Sequence, residues 1–251
     1  MRTEQHTNWL SYGAGVISTA MLVALMDGRV KAEPWRVVWA DTKDEKDETY
    51  SYVFGTIMPW LRARGRTLEV VCGQEGVLER WERLEVTGSR IVRACTSHAK
   101  IYPMRRHVLA HGTVGDTQLV GIDADEQHRA KQPSDDKLKV RYPLIELDWG
   151  RDECVEAIKG AGLPVPPKSG CWHCPFMRKA EVVQLAISAP CKFERIVALE
   201  DAAAAKHGQR LNQWGNKTAR EWRDGGSLFV DASKDLPCAC WDGDVGEGGA
   251  V

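Results

Sequence analysis

Short apolar runs recur through the first half of the chain, each followed by a stretch of helical character, and this alternation restricts the fold more than any other feature. The runs cover residues 8–10, 36–40, 67–71 and 118–122. Between the first two, a helix starts near Ser18 and stops at Gly28, with Met21, Leu22, Leu25 and Met26 apolar. A second, charged helix is expected over about residues 45–64. Strands alternating with helices imply parallel βαβ units, and such sheets bind ligands beyond the carboxyl ends of their strands.

After residues 142–145 the pattern changes. A helix over about 152–159 ends at Gly160 and Gly162, and the stiff segment Leu163-Pro164-Val165-Pro166-Pro167 follows. Helices are expected over about 179–186 and 193–206, then a tail rich in Gly, Asp and Trp. The expected organisation is an α/β nucleotide-fold core over 1–150 and a helical, cysteine-bearing region over 151–251.

Charge narrows the choice of partners. Against 35 Asp+Glu stand 34 Lys+Arg, a net charge of −1, so there is no general basic field for a polyanion and only a local patch remains open. The first ten residues, MRTEQHTNWL, lack the apolar run of a secretory signal. The apolar stretch 20–26 is far shorter than the roughly 20 residues that cross a bilayer. The expectation is a cytoplasmic protein with no membrane partner. In a reducing compartment its eight cysteines are not a disulfide framework but metal ligands, chemical groups or small buried fillers. Cys72 and Cys154, each alone in a strand or helix, are expected to be fillers.

Four motifs carry the chemistry. Residues 11–19, Ser-Tyr-Gly-Ala-Gly-Val-Ile-Ser-Thr, lie between strand and helix. There Gly13 and Gly15 let backbone N–H groups face a phosphate at a helix N-terminus, while Ser11, Ser18 and Thr19 offer hydroxyls. The loop is neither GxGxxG nor GxxxxGK[ST], which disfavours Rossmann and Walker sites. Asp41-Thr42 ends the second strand, where a carboxylate can accept from a ribose or adenine. Gly121, followed by Asp123, Asp125 and Glu126, ends another strand, where the acidic residues could hold Mg²⁺ and Arg129 could fork onto phosphate or sulfate. Finally, Cys171-Trp172-His173-Cys174 is a CxxC loop between Gly170 and Pro175. With Cys95 upstream and Cys238 and Cys240 downstream, soft thiolates from three segments suit zinc or an iron–sulfur cluster. His173, inside the CxxC, is expected to point to solvent.

Taken together, residues 11–19, Asp41-Thr42, the Cys95–Lys100–Pro103 segment, residues 121–129 and the CxxC loop resemble the phosphoadenosine-phosphosulfate (PAPS) reductase family. That family belongs to the PP-loop, or adenine nucleotide alpha-hydrolase-like, superfamily, and the likeness is to bacterial and phage-encoded members. The resemblance implies a parallel-sheet core holding an adenine nucleotide at residues 11–19. It also implies a 4Fe–4S cluster on Cys95, Cys171 and Cys174, with Cys240 as fourth ligand, Cys191 its rival, and zinc as the alternative metal. Lys100 and Arg129 fall in the catalytic set, and Cys238 lies in a tail where the family keeps its nucleophile. Two departures matter. ATP-cleaving members carry an Asp where Ile17 stands, and Thr96 replaces the second cysteine of the reductases' tandem pair.

The activity this implies is reduction of a sulfonucleotide (PAPS or adenosine phosphosulfate) to release sulfite, with a thiol reductant such as thioredoxin as partner. The alternatives are ATP-dependent sulfur transfer to tRNA or DNA and a non-catalytic cluster-based redox sensor. Under the transfer reading, Arg93, Lys100, Arg105, Arg106 and His107 would form the basic patch that meets nucleic acid.

Overall fold

The computed structural model describes residues 6–131 and 138–225. Its centre is a five-stranded, all-parallel sheet in the order β3-β2-β1-β4-β5. The strands are β1 (Asn8–Tyr12), β2 (Trp35–Asp41), β3 (Leu68–Cys72), β4 (Thr117–Val120) and β5 (Lys139–Arg141). This is the α/β parallel-sheet core expected from the alternation. β5 is an addition, a three-residue strand with one apolar side chain that pairing with β4 alone makes legible.

The first crossover is α1 (Val16–Met26), which is buried along nearly its whole length because α8 covers the side turned from the sheet. Next come α2 (Asp47–Tyr52) and α3 (Met58–Arg62), joined through a π-helical stretch, Val53–Ile57. The single charged helix expected over 45–64 is thus interrupted, and it begins two residues later because Glu45 belongs to the turn before it. After β3 come α4 (Val77–Leu84), α5 (Ala94–Thr96), a π-helical stretch (Ser97–Ile101) and α6 (Tyr102–His111). A 3-10 turn (Ala124–Arg129) follows β4, and α7 (Pro143–Glu146) and α8 (Arg151–Gly160) follow β5. The C-terminal helices are α9 (Lys179–Ser188), α10 (Pro190–His207) and α11 (Ala219–Asp224). No described helix is long and apolar enough to cross a membrane.

Two main apolar cores form. The first joins Leu10, Leu22, Trp39 and Ile57 to Cys154, Ile158 and Leu163 beneath α8. The second joins Leu78 and Trp81 of α4 to Trp172, Val182, Phe193, Ile196 and Trp214, with Cys95, Cys171 and Cys174 packed at its border. Cys154 is the buried filler expected of it. Cys72 is not: it ends the edge strand β3 and is exposed.

β1 and β4 are also tied by a polar group. Asp116, fully buried, accepts from Trp9 Nε1 (2.8 Å), Thr7 N (2.9 Å), Thr113 N (3.1 Å) and Thr113 Oγ1 (2.8 Å). Burial alone would push its carboxyl up, but these donors outweigh it and hold it below the usual range. Asp116→Ala strands the buried Trp9 N–H, and the three part-buried donors can turn partly to water; with a stranded buried donor costing about 1–3 kcal/mol, denaturant melts at pH 7 should show a loss of about 3 kcal/mol. The contribution is complete above the ordinary carboxyl value of about 3.9 and lost as pH falls through the lower folded value. The gap between parent and variant should therefore close at acid pH.

Candidate functional site

The chain leaves β1 on one side toward β2 and β3, and returns through β4 on the other. The carboxyl ends of β1 and β4 therefore flank the switch point where parallel sheets open a crevice. Residues 13–15 and Gly121 meet there. Ala14 adopts a left-handed φ of +57°, an arrangement that costs a non-glycine residue about 1–2 kcal/mol and that its glycine neighbours help the turn to reach. A Cβ on Gly121 would stand 3.4 Å from Ser18 N and Cα and 3.5 Å from Ile17 Cγ2, so β4 approaches the start of α1 closely.

The hydroxyls of this loop have defined partners. Ser18 Oγ folds back to accept from Gly15 N and donate to Gly15 O, both at 3.2 Å, capping α1. Thr19 is fully buried and its hydroxyl lies 3.1 Å from Tyr12 Oη. Ser11 Oγ accepts from Gln118 Nε2 at 2.7 Å. What faces outward is backbone: Gly13 is exposed and Gly15 half-buried.

At the end of β2, Asp41 Oδ1 accepts from Lys43 N and from Tyr50 Oη, both at 2.8 Å, which fixes the turn and leaves Oδ2 without a hydrogen-bond partner among the described residues. Thr42 points inward. Its Oγ1 donates to Glu45 Oε1 (3.3 Å) and lies 3.4 Å from Cys171 Sγ. Glu45, 2% exposed, accepts from Gly170 N at 3.1 Å and pairs with Lys100 Nζ at 3.2 Å. The sequence reading overlooked Glu45 as a site residue. It follows Asp41-Thr42 directly, but only the folded turn shows that it faces inward.

The CxxC loop is clamped onto that turn. Lys46 N donates to Gly170 O and Trp172 N to Asp44 O, both at 3.0 Å, and Cys171 lies opposite Glu45 in an antiparallel bridge. Gly170 takes φ +146°, which favours glycine. Ser169, just before it, reaches the loop of residues 13–15: a Cβ on Gly15 would stand 3.3 Å from Ser169 Oγ. Burial and the Glu45 charge push the Cys171 thiol well up, against the pull of Lys100. Burial also raises the Cys95 thiol, and Lys100 again pulls down, so one ammonium acts on both thiols.

His173 does not face solvent. It is fully buried between the rings of Trp81 and Trp172, each centred 4.9 Å away. Its Nε2 lies 3.6 Å from Asp44 Oδ2, and neither ring nitrogen makes a hydrogen bond among the described residues. Trp214 Nε1 donates to Cys174 O at 3.0 Å and Gln213 Nε2 to His173 O at 2.5 Å, so the second core grips the loop's backbone.

The other expected residues are spread out. Arg129 pairs with Glu126. Asp123 accepts from Glu126 N at 3.0 Å, and Asp125 from Arg151 N at 2.9 Å, capping α8. Cys191 is exposed at the head of α10. Cys238 and Cys240 lie outside the described residues. Among the described residues, no three His, Cys, Asp or Glu side chains converge as a single-ion site.

No family model matches the chain, and no curated protein is similar to it. Among solved structures it is similar to the U34-tRNA thiolase NcsA from Methanococcus maripaludis with its 4Fe–4S cluster. The identity is 13%, over 84% of this chain and 75% of that one, with a TM-score of 0.49. A likeness of that size concerns the path of the chain and carries no argument about chemistry.

Glu45 is the group whose removal should be felt most. Glu45→Ala leaves Lys100 and the Gly170 N–H without this acceptor, and breaking a buried ion pair costs about 3–5 kcal/mol. Denaturant melts should show a loss of that size, with hydrogen exchange accelerating first at residues 170–172.

Proposed function

We propose that the chain is an adenine-nucleotide-dependent sulfur-transfer enzyme that carries an iron–sulfur cluster. One observation carries the reading: the loop bearing Cys171 and Cys174 is bonded to the turn after Asp41, and its Ser169 lies against Gly15. Phosphate loop and thiols thus share one edge of the sheet. The backbone of residues 13–15 would bind the phosphate, and Asp41 would orient the adenosine through a carboxylate already fixed by Tyr50.

The donor chemistry suits the cluster. Cys95, Cys171 and Cys174 are soft ligands at the border of an apolar core, and Lys100 offsets the charge their ionisation would create. A cubane gives each thiolate its own iron and so spreads its ligands more widely than one zinc ion does. These three cysteines would hold it, with Cys240 or an outside ligand as the fourth, and when bound it supplies an electron store or a site for sulfur. Transfer to an acceptor is favoured over release of a small product because Cys95 also lines a cleft to which residues 11–19 do not contribute. The reductive reading, sulfite release from a sulfonucleotide with Lys100, Arg129 and Cys238 in the reaction, draws on Ile17. That side chain packs beside Gly121 where ATP-cleaving members of the resembled superfamily have a carboxylate.

Three measurements test the proposal. Anaerobically purified protein should contain iron and sulfide and absorb in the visible, and Cys171→Ala should lose both; full loading in that variant ends the cluster assignment. Gly15→Val crowds Ser169 and the phosphate, so calorimetry should show adenine-nucleotide affinity falling at least about tenfold. Asp41→Ala should cost a charge-assisted hydrogen bond of about 1.5–3 kcal/mol, again about tenfold or more. Product assays then choose between readings: AMP or pyrophosphate from ATP with sulfur in a nucleic acid, or sulfite with thioredoxin.

A further inference from the structure

Behind the thiols, between the end of the edge strand β3 and the helical run that starts at Ala94, lies a cleft of about 480 Å³. Small-ligand sites typically occupy about 300–1,000 Å³. One wall is a single helix face, on which Cys95, His98, Tyr102 and Arg106 follow one another at helical spacing. The π-helical stretch Ser97–Ile101 lies within that wall, and such bulges recur at functional sites. The opposite wall is α4, with Arg80 and Trp81.

The lining is aromatic and cationic. Tyr102 is 42% exposed, and its ring stands edge-on to His98 at 5.4 Å. Burial and the nearby Arg80 hold the His98 imidazole below its usual range, so it offers a neutral flat ring. Two guanidinium groups, Arg80 and Arg106, face one carboxylate, Glu75. Glu75 is shared between Arg80 and Arg83, while Arg106 is exposed and has no ion-pair partner among the described residues. A flat ring carrying a negative charge matches this surface, since bases stack on aromatic side chains and arginine forks onto phosphate.

We propose that this cleft binds one nucleotide unit, its base against Tyr102 and His98 and its phosphate at Arg106 and Arg80, with the base edge turned toward Cys95. It is a site distinct from residues 11–19. For its role it rests on the sulfur-transfer reading, in which it seats the acceptor. The nucleotide belongs either to a nucleic acid strand or to a free nucleotide, and the same chemistry recognises both.

The test is calorimetric titration of the metal-free full chain with uridine monophosphate and with a six-nucleotide oligouridylate, a pyrimidine being chosen to avoid the adenosine site. Adenosine monophosphate is titrated in parallel. The parent should bind a uridylate probe, and Tyr102→Ala and Arg106→Ala should each weaken it at least tenfold while adenosine monophosphate binding stays unchanged. Both side chains are exposed, so thermal unfolding should be unaltered. Much tighter binding of the oligomer supports a strand, and equal binding of both probes supports a free nucleotide. Absence of binding by the parent, or parental affinity in both variants, overturns the proposal. So does a parallel loss of adenosine monophosphate, which would place the first nucleotide here. Iron content and product formation do not enter this readout, so failure of the sulfur-transfer reading is seen separately.

Discussion

A single buried carboxylate, Glu45, holds three distant parts of the chain in register. It takes the Gly170 N–H from the CxxC loop, the Lys100 ammonium from the helix after Arg93 and the Thr42 hydroxyl from the end of β2. A buried charge is tolerated only when paired and hydrogen-bonded, so each partner is constrained by the requirement to satisfy Glu45. Lys100 in turn acts on Cys95 and Cys171. The position of the thiols thus follows from an electrostatic demand made at the end of a strand.

The same edge is the topological switch point of the sheet. The loop of residues 13–15 leads into a helix that the core buries nearly completely, and its two nearest hydroxyls are occupied by Gly15 and Tyr12. Under the proposed function an anion there would be met by backbone N–H groups, which cost no side-chain ordering when a ligand arrives. The thiols, by contrast, rest on the second core, whose Trp214 and Gln213 hold the carbonyls of the CxxC turn.

What was legible in the sequence was local. β1 to β4 could be read because each is an apolar run closed by glycine or a charge, and α1 because its apolar residues have no polar face to mislead. β5 could not, since Lys139-Val140-Arg141 has no period of its own. That Cys95, Cys171 and Cys174 border one core agrees with grouping them by spacing and resemblance, and the turns at Gly15 and Gly121 could be read from glycine chemistry. Glu45, Ser169 and the burial of His173 were not, because each depends on contacts more than 100 residues apart or on the closing of Trp81 and Trp172 around His173. The helical spacing of Cys95, His98, Tyr102 and Arg106 was there to be seen, hidden by the short Ala-Cys-Thr start and the π-helical turn that breaks the ordinary period.

The two apolar cores interleave along the chain instead of following one another: α4 precedes β4, yet it packs with α9 and α10. During synthesis the central sheet can close as soon as α8 emerges, while Leu78 and Trp81 wait for helices encoded about a hundred residues later. Until those helices are made, Leu78 and Trp81 lack most of the apolar partners that bury them in the finished fold. The CxxC loop belongs to both regions, bonded to the turn after β2 on one side and held through its carbonyls by Gln213 and Trp214 on the other.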